Sequence, residues 1–413
     1  MKLSNGLTLA VQQDNTIPLV TMDMWVRVGS GDEPSEIAGA SHFLEHMLFK
    51  GTERLPVGEY DRRVEGAGGY LNAATSYDYT HYYVTVPSEH FEAILEDFAD
   101  VMTGSSIATA EVESERQVIL EEIRRKNDNA MGFLFDEAMP ALYGSGPYRH
   151  TVLGSSETVA AISRDTLAEH YRRFYTADNM YLSVVGAVDP EAVRARAELA
   201  FARMNTTRAP WRDAAPGTNF AAPASRLLPR EWNEAYFLLA FPGPAAGATA
   251  RDMALADLAQ TVLGGGRSSR LVKSLQEQQG IVSSIGAYLP TNRNPGPITI
   301  YGTCEPERLD EVRTEIFNEL SRLREGGLKG DEMKRVRRLA LNSHLFSLES
   351  NAGRASTAGY SLAMLGNLSL LTEYEDLLRS IGESEVEDFL RKWLVEESAS
   401  FVVTARPERV VPK

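Results

Sequence analysis

Apolar and polar positions alternate in some stretches of this chain and follow a helical period in others, and the order of elements restarts with a strand in the second half. The first half shows strand and helix patterns at 20–28 (strand), 81–86 (strand), 89–103 (helix), 110–127 (helix), 164–174 (helix) and 180–186 (strand). The second half shows them at 235–241 (strand), 250–263 (helix), 297–301 (strand), 306–325 (helix), 330–347 (helix) and 400–404 (strand). This pattern predicts two α+β halves.

Between the halves lies a stretch without any hydrophobic period. Residues 205–225, NTTRAPWRDAAPGTNFAAPAS, are rich in alanine and proline, which is typical of a linker. A chain of 413 residues also exceeds the length that one hydrophobic core usually serves. We therefore predict a first domain at 1–205, a linker at 206–225 and a second domain at 226–413.

The most informative segment is His42-Phe43-Leu44-Glu45-His46, in the order H-x-x-E-H. At about 100° per residue of a helix, His42, Glu45 and His46 lie on one face. The remaining side chains of the segment are apolar, so the helix should be buried. Buried imidazoles and carboxylates need partners, and a metal ion would satisfy all three. H-x-x-E-H is one of the known zinc-site motifs, and a catalytic zinc needs a third protein ligand.

The third ligand should come from residues 111–126, EVESERQVILEEIRRK, which have the pattern of a helix. Glu115 and Glu122 lie two turns apart in the middle of its apolar stripe, which is formed by Val112, Val118, Ile119 and Ile123. Glu121 and Arg124 point to the opposite side of the helix, which should face solvent. Glu122 is therefore the predicted ligand, and Glu115 is a second ligand candidate or a support for a ligand.

Three motifs together resemble the pitrilysin and insulin-degrading-enzyme family, on its mitochondrial-processing-peptidase-like bacterial branch. They are HFLEHMLFKGT at 42–52, GYLNAAT at 69–75 and ERQVILEE at 115–122. In that family the third zinc ligand is a glutamate 76 residues after the second histidine, and 122 − 46 = 76 here. The resemblance also implies the fold, which is two homologous α/β-sandwich halves, each a mostly antiparallel sheet flanked by helices.

The expected activity is that of a zinc metalloendopeptidase that hydrolyses unfolded peptides within a closed chamber. One Zn²⁺ per chain would be held by His42, His46 and Glu122, with Glu45 as general base and Glu115 in support. The resemblance also implies that Asn72, Ala73 and Ala74 belong to an edge strand that binds the extended peptide. The alternatives are a non-catalytic core subunit of a larger complex and a peptidase specialised in maturing one peptide.

One departure from the family pattern bears on the partners. The second half of the family usually carries an arginine and, seven residues later, a tyrosine that bind substrate and support the oxyanion. Gln276 and Ser283 occupy these positions. We therefore expect a heterodimer in which this chain bears the zinc and a homologous subunit supplies the Arg/Tyr pair, with a homodimer as the alternative.

Composition and charge narrow the range of binding partners and compartments expected for this protein. The net charge of −15 argues against binding to nucleic acid, which needs a basic surface. The chain has no uninterrupted run of 18 apolar residues, so we expect no membrane-spanning helix. The single cysteine, Cys304, allows no internal disulfide. The first residues do not resemble a signal peptide. We expect a cytoplasmic protein, or a periplasmic one whose signal peptide has been removed.

Overall fold

A computed structural model describes residues 1–207 and 218–410. Residues 208–217 of the predicted linker lie outside this described part. The described residues divide into two compact units. Each unit is formed by three separate stretches of the chain. Among the described residues, the first unit comprises 1–124, 150–207 and 346–371, and the second comprises 125–149, 218–345 and 372–410.

The bounds of the strands and helices follow in chain order. The strands are β1 (Thr8–Gln13), β2 (Leu19–Val26), β3 (Tyr70–Thr75), β4 (Thr80–Pro87), β5 (Tyr143–Ser145), β6 (Met180–Gly186), β7 (Asn219–Phe220), β8 (Ser225–Pro229), β9 (Ala235–Phe241), β10 (Ser284–Tyr288), β11 (Ile298–Cys304) and β12 (Ser400–Ala405). The α-helices are α1 (Ala40–Leu48), α2 (Glu59–Gly66), α3 (Phe91–Gly104), α4 (Thr109–Asn127), α5 (Ala130–Leu142), α6 (Ser156–Ala161), α7 (Arg164–Phe174), α8 (Pro190–Ala200), α9 (Ala250–Gly264), α10 (Leu309–Gly326), α11 (Gly330–Ser347), α12 (Asn351–Leu365), α13 (Ser369–Thr372), α14 (Tyr374–Ser380) and α15 (Glu383–Trp393).

The first unit is built on a five-stranded sheet in the order β1-β6-β2-β4-β3. β1 and β6 are parallel, and the other neighbours are antiparallel. Alternate residues of a strand face opposite sides, so Val20, Met22 and Met24 of β2 enter one hydrophobic core together with Phe43 and Leu44 of α1. The metal-site segment is thus packed directly against the sheet.

The second unit repeats the first sheet strand by strand. Its order is β10-β11-β9-β12-β8, with β12 and β8 parallel and the other neighbours antiparallel. The five strands β8, β9, β10, β11 and β12 thus take the places of β1, β2, β3, β4 and β6. Two sheet-containing halves of the same topology confirm the predicted α+β fold class.

The face of the first sheet opposite the core is covered at β2 and β6 by α12, a helix from far along the chain. Trp25 of β2 packs so closely against this helix that a Cβ on Gly359 would lie 2.1 Å from its ring. Glycine is therefore required at this point of contact. The hydrophobic pattern contained no sign that α12 belongs to the first unit.

The predicted elements lie close to their observed bounds, but several helices, among them α5, α8 and α12, were not predicted, and the apolar stripe of α4 contains one error. Val118, assigned to that stripe, is 49% exposed, whereas Val112 and Ile119 are buried. In the predicted linker, β7 pairs with β5. Within the described residues, none of the helices combines the length and the apolar character needed to cross a membrane.

Candidate metal centre

The helix that carries H-x-x-E-H begins at a tightly constrained point. Gly39, which precedes α1, has a φ of 98°, and a Cβ there would meet the carbonyl of Leu153 at 2.5 Å. The buried carboxylate of Glu33 accepts hydrogen bonds from the backbone N–H of Gly39 at 2.7 Å and of Ser41 at 2.5 Å. Burial raises the pKa of Glu33 to about 7, against the opposing effect of these two bonds. The first turn of α1, and with it His42, is therefore fixed.

The three predicted metal ligands converge although α1 and α4 are separated in sequence. One ligand atom from each of His42, His46 and Glu122 can be chosen so that all lie within 4.8 Å of one another. Oε2 of Glu122 is 3.6 Å from Nε2 of His42 and 3.8 Å from Nε2 of His46. These separations are too long for hydrogen bonds.

The same separations suit a zinc ion. Ligand atoms at ordinary zinc distances in a tetrahedral site are about 3.3 Å apart. The two separations from Glu122 are close to this value, and the whole group, whose ligand atoms lie within 4.8 Å of one another, must contract around the ion. His42 is buried, while the side chain of Glu122 is 45% exposed. The exposed side leaves room for the fourth position that a catalytic zinc keeps open. The donor set of two imidazoles and one carboxylate therefore fits zinc.

Glu115 does not join this group but lies behind His46. Its Oε2 accepts a hydrogen bond of 3.1 Å from Nδ1 of His46. A carboxylate can only accept, so Nδ1 carries the hydrogen and Nε2 keeps its lone pair for a metal. Of the two roles left open for Glu115, the geometry favours that of a support for a ligand.

Glu45 lies on the same face of α1 as the histidines and contacts strand β3. The hydroxyl of Thr75 donates a hydrogen bond of 2.5 Å to Oε2 of Glu45. Burial raises the pKa of Glu45, the hydrogen bond from Thr75 opposes the rise, and the nearby carboxylate of Glu122 adds to it. Glu45 thus combines a fixed orientation with an increased affinity for a proton.

The three residues predicted to bind peptide are placed on β3, at the edge of the sheet. β4 is the only strand paired with β3 in the described part of the chain. Asn72 and Ala74 are exposed, while Ala73 packs against the core. The N–H of Ala73 donates to Oδ1 of Asn72 at 2.9 Å. The outer edge of β3 is therefore open beside the metal-site helix.

Gln276 and Ser283 both lie in the second unit. Gln276 lies in a π-helix, Val272–Gln278, and Nε2 of Gln276 donates to the carbonyl of Ser283 at 3.0 Å. The hydroxyl of Ser283 donates to Oε1 of Glu234 at 2.7 Å. Both side chains are thus held by their own unit.

Sequence reasoning assigned no role to Thr75 or to Lys50, although both belong to the quoted motifs. Thr75 shares the core-facing side of β3 with Leu71 and Ala73. A polar residue among core-facing positions was the sequence signal that could have indicated a role for Thr75. Lys50 contacts Glu115, and the available signal was a single cation two residues after the end of an apolar helix.

Comparison with known proteins agrees with this geometry. Residues 8–156 match the family described as "Insulinase (Peptidase family M16)", and residues 161–339 match the one described as "Peptidase M16 inactive domain". A relative from Mycobacterium leprae, an "uncharacterized zinc protease", is 31% identical over 93% of this chain and 86% of its own length. The zinc protease YmxG of Bacillus subtilis, also described as uncharacterized, is 29% identical over 97% and 96%.

A solved structure supports the fold independently. The crystal structure of a protease from Helicobacter pylori superimposes with a TM-score of 0.90 at 23% identity and covers 98% of both chains. The two family matches together span most of the chain, and the relative at 31% identity is aligned over nearly its whole length. The chain therefore belongs to peptidase family M16, the pitrilysin and insulin-degrading-enzyme family.

Proposed function

We propose that this chain is a zinc metalloendopeptidase subunit that hydrolyses unfolded peptides. The observation that carries the proposal is the convergence of His42, His46 and Glu122 beside Glu45, which Thr75 holds in place. Two imidazoles, one carboxylate and an adjacent oriented carboxylate are the parts that zinc-dependent peptide hydrolysis needs. The names of the relatives, which are called zinc proteases, point the same way.

Zinc, when bound, lowers the pKa of a water molecule and polarises the carbonyl of the scissile bond. Glu45 then acts as general base, because it accepts the proton of the attacking water and later gives it to the leaving amine. The Thr75 hydroxyl keeps the second oxygen of Glu45 from rotating away. A raised pKa suits this role, since a general base works best when its pKa is near the operating pH.

The peptide is held by the edge of β3. An extended backbone that adds to this edge gains main-chain hydrogen bonds, which bind peptides without selecting their sequence. Small side chains at Ala73 and Ala74 leave the approach open, and a substrate carbonyl replaces Asn72 as the acceptor for the N–H of Ala73. Most segments of a folded protein are not free to pair as an extended strand, so the proposed substrates are unfolded peptides. Cleavage within a closed chamber is a further part of the proposal.

The complete active site requires a second subunit. Gln276 has no charge and is hydrogen-bonded to the Ser283 carbonyl, and the short Ser283 side chain is bonded to Glu234. Neither side chain can stabilise an oxyanion in the way that an arginine and a tyrosine do. The partner in this proposal is a homologous chain with Arg and Tyr at these positions, and the pair forms a heterodimer.

Metal analysis and peptide hydrolysis test the proposal together. The purified chain should contain one zinc ion, and with the partner it should cleave an unfolded fluorogenic peptide. A chelator should abolish cleavage, and added zinc should restore it. The same peptide sequence within a stably folded protein should resist cleavage. A zinc-loaded complex that cleaves no unfolded peptide would instead indicate a non-catalytic subunit.

A further inference from the structure

Lys50 is a charged residue of the metal-site region for which the mechanism has no use. It is the second residue after α1, and its backbone N–H donates to the carbonyl of Met47 at 3.0 Å. The next residue, Gly51, has a φ of 90°, and its carbonyl accepts two bonds of 3.1 Å from the backbone and the side chain of Ser106. The backbone of Lys50 is therefore fixed between the end of α1 and the segment that leads to α4.

From this fixed position the Lys50 side chain reaches α4. Its Nζ lies 2.7 Å from Oε1 of Glu115, while Oε2 of Glu115 accepts the 3.1 Å bond from Nδ1 of His46. The Glu115 side chain is 8% exposed. A carboxylate buried to this degree needs a cation, and Lys50 is the one that contacts it. Each oxygen of Glu115 is thus committed to a different partner.

This chain of contacts leads to His46, one of the three candidate metal ligands. An imidazole bound through Nε2 is oriented by the acceptor on its Nδ1, and such acceptors are themselves usually held by further hydrogen bonds. We propose that Lys50 is a positioning residue of the metal centre, which holds the Glu115 carboxylate against Nδ1 of His46 and so aims Nε2 of His46 at the zinc ion. The inference rests on the proposed zinc site and adds the residue that sets its affinity.

Zinc dissociation constants, measured by competition with a chelator, test this role without any activity assay. Lys50→Met keeps the length of the side chain and removes the charge, and it should weaken zinc binding about 10- to 100-fold. Lys50→Arg, which keeps the charge, should recover most of the affinity. Equal losses in Lys50→Met and Lys50→Arg would contradict a role for the charge.

A double-mutant cycle separates this role from general packing. Glu115→Gln removes the carboxylate through which Lys50 acts, so Lys50→Met should weaken zinc binding no further in that background. Losses that multiply in the double variant would overturn the proposal. Unfolding temperatures of the metal-free proteins show whether each variant is folded.

Lys126 offers a matched control. It also forms an ion pair, with Asp136 at 2.8 Å, and its side chain is 32% exposed, compared with 30% for Lys50. Lys126→Met should bind zinc like the unsubstituted chain. If the unsubstituted chain binds no zinc, the proposed function fails as well. If it binds zinc tightly and Lys50→Met binds it equally well, only the role of Lys50 is wrong.

Discussion

The hydroxyl of Thr75 donates a 2.5 Å hydrogen bond to Oε2 of Glu45, which joins the last residue of edge strand β3 to the metal-site helix. The strand proposed to hold the peptide and the carboxylate proposed to activate water are therefore in direct contact. A peptide laid along β3 would pass beside Glu45. This contact links substrate binding to the chemistry in a way that neither motif alone indicates.

The first prediction separates metal binding from catalysis at Glu45. Glu45→Gln should retain zinc, because Glu45 is not one of the three converging ligands. It should lose peptide hydrolysis by several orders of magnitude, because an amide cannot accept the proton of water. Metal analysis and the hydrolysis rate of the same preparation give both results. Unaltered hydrolysis in Glu45→Gln would remove Glu45 from the mechanism. Thr75→Val should leave the zinc content unchanged and slow hydrolysis to a smaller extent than Glu45→Gln does.

The second prediction concerns the third ligand. Glu122→Gln should lose zinc as well as activity, because the carboxylate 3.6 Å and 3.8 Å from the two imidazoles would be replaced by a neutral amide. The adjacent Glu121 provides the control, since it pairs with Arg124 at 2.6 Å. Glu121→Gln should keep zinc and activity. The reverse outcome would show that the wrong glutamate of α4 has been assigned to the metal.

The third prediction concerns the partner. The isolated chain should show weak or no peptidase activity, and mixing with a homologous subunit that carries the Arg/Tyr pair should increase it. An oxyanion donor is typically worth about 10²- to 10³-fold in rate, which sets the expected gain. Size-exclusion chromatography should show the two chains eluting together. A homodimer with full activity that is unchanged by the double substitution Gln276→Ala, Ser283→Ala would exclude this requirement.

The fourth prediction concerns acid stability at His170. This histidine is buried in α7, and its Nε2 is hydrogen-bonded to Oγ of Ser41 at 3.0 Å. Burial lowers the pKa of His170 to about 4. Between about pH 6.5 and pH 4 the unfolded chain binds this proton and the folded chain does not, so stability should fall as the pH falls through this window.

Denaturant unfolding at pH 7 and pH 4.5 measures this contribution. The free energy of unfolding should decrease by about 2 kcal/mol more in the unsubstituted chain than in His170→Gln, as the size of the pKa shift implies. The same substitution at exposed His90 controls for the loss of an imidazole. Equal pH dependence in the unsubstituted chain and in His170→Gln would show that His170 does not titrate as its burial requires.

Many of the strands and helices could be predicted because their apolar residues recur with the period of a strand or a helix. Strand β9 was placed at its observed bounds, and helix α4 within one residue of them, since burial of one face imposes a period of two or 3.6 on the side chains. Val118 shows where this reasoning is weak. A helical wheel gives the direction in which a side chain points, but it does not show how much of the helix surface the neighbouring elements bury. Val118 lies outside the buried part of the surface of α4 and is 49% exposed.

The sequence by itself determined the candidate ligands, because two helical turns fix which side chains share a face. His42, Glu45 and His46 on α1, and Glu115 and Glu122 on α4, follow from residue spacing alone. Only the tertiary structure decided how the two helices meet. It placed Glu115 behind His46, Thr75 on Glu45 and Lys50 on Glu115. These contacts join residues 30 to 69 positions apart, and their distances depend on how the helices and the sheet pack, which no local pattern records.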